Sequence, residues 1–285
     1  MKVTFTDNIN IKFIDVLQNM LKNACETKFG IAFAKYSGYS LIEDKIETNI
    51  EKGCHTEFIL GLDFKTTEPK ILNILRRKMD ENKNLFLYCF CDYEISDSPI
   101  YHPKIYIARK DDEVNISIGS SNLTAGGFKK NIEINTIITA NVNEEIVSDV
   151  YSTYNRLKYS ATIFTPDYEY INQYEQAYNI IRRNSKDILK KKELTEKIGL
   201  LEEKEETLPK PRISSEDLFG WQKIVYAKIP GNSFKSSDLY IYEKEFQLHY
   251  PDNKHITAKV RQILQQLRDL GLIRAVSRNR WEKMF

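Results

Sequence analysis

The chain has 285 residues, 41% of them hydrophobic, with a net charge of +2; this is enough for one large domain or two smaller ones with real cores. No run approaches the roughly 18 apolar residues that a membrane helix needs. The opening Met1-Lys2-Val3-Thr4-Phe5-Thr6-Asp7 reaches an acid before any apolar signal segment can form, so the expectation is a soluble, cytoplasmic protein without membrane contact.

In chain order, residues 8–26 carry Ile11, Phe13, Ile14, Leu17, Met20 and Leu21 at helical spacing, which predicts an amphipathic helix. Phe29 to Ala34 reads as a buried strand, Ser40 to Lys52 as a helix and Glu57 to Leu62 as a strand. Glu68 to Asn82 reads as a helix with Pro69 near its first position, and Asn84 to Asp92 as a strand. Alternating helices and strands of this kind indicate an α/β sheet. Three further strands follow, Tyr101 to Ala108, Val114 to Gly119 and Ile132 to Ala140. Helices are then predicted from Asn143 to about Leu157 and from Tyr168 to Arg183.

Residues 184–213 break the pattern. They contain Lys190-Lys191-Lys192 and Glu202-Glu203-Lys204-Glu205-Glu206 and end in Pro209-Lys210-Pro211, a solvated helix followed by a linker. Residues 214–285 then form a compact basic module with 12 basic and 8 acidic side chains, against 21 and 25 in residues 1–182. A basic end points to an anionic partner, and nucleic acid is the usual one. Here Ser215 would cap a helix from Glu216 to about Lys228, and Ser236 or Ser237 a second, from Asp238 to about His249. Asp252 or Asn253 would cap a third, from His255 to Leu270, ending at Gly271. Leu272 to Val276 and Arg280 to Met284 would pair as a hairpin. Three helices and a terminal hairpin are the plan of a winged helix-turn-helix. The expected organisation is a catalytic-size domain over 1–183, a charged helix and linker over 184–213 and a winged-helix domain over 214–285.

Cys25, Cys54, Cys89 and Cys91 form no Cys-x-x-Cys pair, and no His lies at zinc spacing. They are expected to be reduced, buried thiols; no metal ligand set or cofactor is expected.

The chemistry concentrates between Tyr101 and Asn135. On a strand His102 and Lys104 project to one side, while Pro103, Ile105 and Ile107 face the core. Imidazole can attack phosphorus or carry a proton near neutral pH, and an ammonium neutralises phosphoryl oxygens. Gly119-Ser120-Ser121-Asn122 would let backbone N–H groups approach a phosphate, with Ser120 and Asn122 adding side-chain donors. Asn131, Glu133 and Asn135 would share the site face, with Ile132 and Ile134 opposite. The sensible role of Glu133 is to accept the second N–H of an imidazole.

His102-x-Lys104, with Asn122 18 residues on in a Gly-Ser loop, resembles the signature of the phospholipase D superfamily. The resemblance implies a mixed sheet flanked by helices. The fuller family pattern has an Asp five or six residues after the Lys, where this chain has Arg109. In the restriction-endonuclease branch an acid 11 residues after the Asn takes over, and Glu133 stands there. The family mechanism uses two His-x-Lys motifs; His55, His249 and His255 have no Lys two residues on. The resemblance therefore implies a homodimer with the active site at the subunit interface, one His102 attacking phosphorus to give a phosphohistidine and the other acting as acid and base, without metal.

In the third C-terminal helix Ile256, Val260, Ile263, Leu264, Leu267 and Leu270 share a core face. The other face offers Thr257, Arg261, Gln262 and Gln265, preceded by Lys254 and His255, and the wing offers Arg274, Arg278, Arg280 and Lys283. Arg and Gln suit base edges and Lys suits phosphate. Trp221 and Trp281 read as packing residues. Trp221-Gln222-Lys223, the stretch from Tyr250 to Lys254 and that from Arg261 to Asp269 resemble the winged-helix module of Dam-replacing restriction enzymes. The functional expectation is a type II restriction endonuclease acting on double-stranded DNA. A repair or end-processing phosphodiesterase of loose specificity and a catalytically inactive DNA-binding regulator are the alternatives; a phospholipase fits least.

Overall fold

The computed structural model describes residues 1–63, 66–91, 100–189, 214–215, 218, 220–249, 251 and 253–284. It divides into two compact units, Met1–Thr195 and Glu196–Phe285. Most of the segment expected as helix and linker over 184–213 lies outside the described residues, as do the predicted helix start at Glu216, the strand end at Asp92 and the proposed cap Asp252.

The first unit is built on an eight-stranded mixed sheet in the order β1-β7-β6-β5-β2-β3-β4-β8. The strands are β1 (Lys2–Thr6), β2 (Glu26–Ile31), β3 (His55–Gly61), β4 (Leu85–Phe90), β5 (Lys104–Lys110), β6 (Glu113–Gly119), β7 (Asn135–Asn141) and β8 (Ile163–Phe164). β2, β3 and β4 run parallel, and the other pairings are antiparallel. The helices are α1 (Phe13–Leu21), the single turn α2 (Tyr36–Tyr39), α3 (Glu43–Glu51), α4 (Pro69–Glu81), α5 (Glu145–Lys158) and α6 (Tyr168–Leu189). α3 and α4 are the crossovers that parallel neighbours require.

The sequence pattern places α4, with Pro69 in its first turn, and both faces of the central strands. One core gathers Phe13, Leu17, Phe29, Phe58, Tyr106 and Phe128. A second, on the other side of the strands, gathers Ile59, Ile105, Ile107, Ile116, Val150 and Tyr154 under α5. Alternation along β5 divides Tyr106 from Ile105 and Ile107 between these cores.

Several expectations change. The first helix is α1 alone, shorter than residues 8–26. Asp7 Oδ1 accepts N–H bonds from Ile9, Asn10 and Ile11 at 3.0, 2.8 and 3.2 Å, a turn that competes with helix, and Glu26 is drawn into β2. Ser40 to Lys52 splits into α2 and α3. Strands β1 and β8 were not read, because five and two residues carry too little period-2 signal. Cys25 is exposed, whereas Cys54, Cys89 and Cys91 are buried, and all four are free.

The second unit contains α7 (Gly220–Ala227), a 3-10 turn (Ser236–Tyr242), α8 (Glu243–His249), α9 (Ile256–Asp269) and a sheet ordered β10-β11-β9. Its strands are β9 (Ser233–Lys235), β10 (Ile273–Ser277) and β11 (Arg280–Lys283). The hairpin forms as expected, with β9 as an unread third strand. The second helix starts late because its first turn is 3-10, held by the Lys235 N–H donating to Asp238 Oδ2 at 2.8 Å. Asn253 Oδ1 accepts the His255 N–H at 2.9 Å, which tightens the turn into α9. Val225, Phe246, Val260, Leu264 and Leu267 form the core.

Candidate active site and nucleic-acid interface

The carboxyl ends of parallel strands β2 and β3 expose the turn where an open α/β sheet binds ligands. β5 runs antiparallel to β2 and begins there: Lys104 lies opposite Ile31, and Arg109 opposite Glu26 at the far end. The lead-in to β5 is anchored by the Ala32 N–H donating to Pro103 O at 2.7 Å. His102 therefore precedes the strand rather than lying within it. It is exposed, whereas Lys104 is 7% exposed.

Lys104 Nζ lies 2.7 Å from His102 Nδ1, 2.9 Å from Nε2 and 3.0 Å from its carbonyl oxygen. Burial lowers the Lys104 pKa from the ordinary lysine value, and the negative charge of Glu133 acts against that.

Asn122 meets the backbone one residue on from the Ala32 anchor. The Phe33 N–H, just beyond β2, donates to Asn122 Oδ1 at 3.3 Å. With its oxygen occupied, the side chain has its amide N–H donors to offer an anion. The loop that carries it is closely packed. A Cβ at Gly119 would meet Ile134 O at 2.3 Å, and one at Gly127 would meet Asn122 O at 2.6 Å. Asn135, 1% exposed, accepts the Ser121 N–H at 3.2 Å and donates to Ser121 Oγ at 2.9 Å and Thr6 Oγ1 at 3.1 Å. Tyr106 OH donates to Ser121 O at 2.9 Å.

Several of the backbone N–H groups expected to cradle phosphate are engaged within the chain. The N–H groups of Ser120, Ser121, Thr124 and Gly127 bond to Ile134 O, Asn135 Oδ1, Asn122 O and Thr124 Oγ1. Ser120 is likewise engaged: its hydroxyl donates to Glu133 Oε2 and accepts the Ile134 N–H at 3.0 Å. Glu133 also accepts from Asn131 Nδ2 at 3.2 Å. Its partners within the chain are thus Ser120 and Asn131, where His102 was expected, because β7 starts only at Asn135 and Glu133 sits in the turn before it. Ile132 and Ile134, expected on the strand face opposite Glu133, are 79% and 63% exposed for the same reason.

Arg109 pairs with Glu26 at 3.3 Å. The residue that departs from the superfamily pattern therefore lies at the other end of the strand from His102. Tyr106 and the Phe33 backbone are not legible as site residues in the sequence, and Asn135, expected on the site face, is buried against Ser121. They position Asn122, and their contacts come from long-range register.

In the second unit α9 has the expected core face except at Leu270, which follows its last residue and is 39% exposed. Lys254 and His255 are exposed at its N-terminal end, Thr257 is half-buried, and Arg261, Gln262 and Gln265 are exposed; Arg274, Arg278 and Arg280 are exposed on the hairpin. Some have partners that sequence could not supply. Arg261 Nε donates to Tyr240 OH at 2.8 Å, Lys259 Nζ donates to Gln262 Oε1 at 3.0 Å, and Arg274 pairs with Glu282 at 2.6 Å. Trp221 packs on Phe246 at 5.9 Å, and Trp281 Nε1 donates to Ser236 Oγ at 2.9 Å, so both tryptophans are packing residues. Among the described residues no group of three or more His, Cys, Asp or Glu could hold a metal ion, and no helix is long and apolar enough to cross a membrane.

The family model described as cardiolipin synthase, PLD-like domain matches residues 17–158, and that described as Dam-replacing HTH domain matches residues 221–283. The chain joins a phospholipase D-like domain to a Dam-replacing helix-turn-helix domain. His102, Lys104, Asn122 and Glu133 all fall within the PLD-like match, and every residue expected to read DNA falls within the second.

Comparison with curated proteins gives no significant match. Among solved structures, NucT from Helicobacter pylori is 17% identical with a TM-score of 0.44, the match covering 57% of this chain and 99% of NucT. Nuc from Salmonella typhimurium, a phospholipase D family member, is 16% identical with a TM-score of 0.41, covering 54% and 91%. Phosphatidylserine synthase from Haemophilus influenzae is 14% identical with a TM-score of 0.44, covering 66% and 46%.

Proposed function

We propose that the protein is a type II restriction endonuclease: a metal-independent phosphodiesterase that cuts double-stranded DNA through a phosphohistidine, with its C-terminal domain reading sequence. The observation that carries this reading is the His102 imidazole on the Lys104 ammonium, beside an Asn122 whose oxygen is already held. The set is one nucleophile and two kinds of donor, suited to a phosphodiester's developing charge.

A His102 nitrogen attacks phosphorus. The P–N bond forms as the P–O bond to the leaving strand breaks, and the leaving oxygen takes a proton from His102 of the partner subunit. That histidine, now neutral, removes a proton from water. The hydroxyl attacks phosphorus, the P–N bond breaks, and His102 is released. Lys104 and Asn122 hold the non-bridging oxygens. Glu133 supports the site through Ser120 and through its charge on Lys104.

One motif per chain makes this a two-subunit site. An exposed apolar surface on the sheet supports a two-fold contact. Phe5 lies opposite Thr136, and Thr136 opposite Ile118, so Phe5 and Ile118 share one face of β1, β7 and β6, and Ile134 is exposed just before β7; Phe5 is 62% exposed. Exposed apolar side chains gathered on one face mark an interaction surface. The double variant Phe5→Asp, Ile134→Asp is expected to run as a monomer in light scattering and to lose cleavage while His102 and Lys104 remain intact. A monomeric variant with full activity would remove the shared site.

A nuclease tethered to a sequence reader gains specificity from effective concentration at the chosen site. On this reading Lys254, His255, Thr257, Arg261, Gln262 and Gln265 approach the major groove, and Arg274, Arg278 and Arg280 the backbone. Digestion of genomic DNA in EDTA, with the ends sequenced, tests the whole proposal. Discrete fragments sharing a sequence are expected. A smear would favour a repair or end-processing nuclease, and no cleavage an inactive DNA-binding regulator.

A further inference from the structure

Beside His102 lies a cavity of about 370 Å3, between the lead-in to β5 and the C-terminal end of α5. His102 is part of its lining. Phe90, Tyr101, Pro103 and Leu157 make apolar walls, and Arg156, Ser160 and Thr162 supply polar groups. Phe90 and Tyr101 stack with ring centroids 5.1 Å apart and planes 25° apart. The Tyr101 N–H donates to Asp63 Oδ2 at 3.0 Å, which fixes that wall. The phosphoryl transfer described above uses none of these groups except His102.

We propose that this cavity receives the nucleobase of a nucleotide adjoining the scissile phosphate, turned out of the duplex. The inference rests on the reading of His102 as the nucleophile. A base is joined to its phosphate by one sugar, so a cavity walled by the nucleophile is within its reach. The volume falls in the range of small-molecule pockets, and the aromatic and proline walls offer flat apolar surface for stacking. Ser160 Oγ and Thr162 Oγ1, 3.2 Å apart, offer donors and acceptors to a base edge. Arg156, exposed in the last turn of α5 and donating to Thr153 Oγ1 at 3.1 Å, supplies positive charge for the adjoining phosphate. Taking the target nucleotide out of the stack also selects for sequence, because the cost depends on the pair that is opened.

The test uses duplex oligonucleotides spanning the cleavage position mapped with the wild-type protein. Each nucleotide adjoining the scissile phosphate is replaced in turn by an abasic analogue. Loss of one of these bases is expected to slow wild-type cleavage roughly 10- to 100-fold, the effect of one lost stacking partner. Thr162→Trp, which fills the cavity, should slow cleavage of the unmodified duplex by a similar factor and be indifferent to the abasic replacement. Arg156→Ala, at an exposed position, should raise KM without changing the melting temperature. Rates unchanged by every abasic replacement would overturn the base pocket and leave the nuclease reading standing. A Thr162→Trp protein that becomes monomeric would overturn it in favour of a second copy covering the cavity. Wild-type protein that leaves the unmodified duplex intact would remove both.

Discussion

His102→Ala is expected to lower DNA cleavage by at least about 10^4-fold, the scale on which removal of a nucleophile is felt. In the proposed dimer both histidines vanish together, so the nucleophile and the acid are lost in one substitution. His102 is exposed and lies outside β5, so the variant should melt like the wild type and bind the same DNA in a gel shift. Lys104→Met should also inactivate, but with a structural component. Lys104 is buried and bonds the His102 carbonyl oxygen at 3.0 Å, so its loss loosens the lead-in as well as the charge. A His102→Ala protein that cleaves at wild-type rate would end the assignment of this residue.

The largest stability effect is expected at the opposite end of the strands, in a charge cluster that takes no part in the proposed chemistry. Glu57, 2% exposed, receives His55 Nε2 at 2.6 Å, Lys158 Nζ at 2.7 Å and Lys28 Nζ at 3.2 Å. Lys28, also buried, divides its charge with Glu26 at 3.2 Å. Removing one member of a buried ion cluster leaves the others uncompensated, at a cost of roughly 3–5 kcal/mol. Glu57→Ala should therefore lower the melting temperature by about 10 °C in a unit of this size, as read by far-UV circular dichroism. Burial pushes the Glu57 carboxyl up, but bonds from His55 and Lys158 and the charges of Lys28 and Lys158 outweigh it and hold the pKa at about 2, from an ordinary 4.5. The folded value is depressed, so this stabilisation is complete above pH 4.5 and is lost as the pH falls toward 2. Over that window it amounts to about 3 kcal/mol. Denaturant titrations across the window should show the loss in the wild type and a much flatter profile in Glu57→Ala. Equal slopes would assign the acid sensitivity to other carboxylates.

What was legible in the sequence was local. His102 and Lys104 two residues apart, Asn122 in a tight Gly-Ser loop and Pro69 at a helix start are decided by the neighbours of each residue along the chain. The core face of α9 is equally local, since its apolar residues recur at helical spacing. What was not legible depends on residues far away in sequence. The Phe33 N–H reaches Asn122 because β2 ends beside that loop, and Asn135 staples Ser121 across β6 and β7. Ser120 meets Glu133 because the turn before β7 folds back on it. Arg261 finds Tyr240 through packing of α9 on the 3-10 turn. Ile132 and Ile134 show a further limit. Alternating apolar residues look the same whether they face a core or an exposed surface, and only the point where β7 begins separates the two cases.

The central claim is a covalent bond between His102 and DNA phosphorus, and its most direct test is rapid quenching of the reaction in EDTA followed by mass spectrometry under alkaline conditions that preserve phosphohistidine. The account predicts a transient DNA adduct on the peptide containing His102, which decays as product forms and is missing in His102→Ala. No adduct at any time point, together with cleavage that EDTA abolishes and a divalent cation restores, would contradict it.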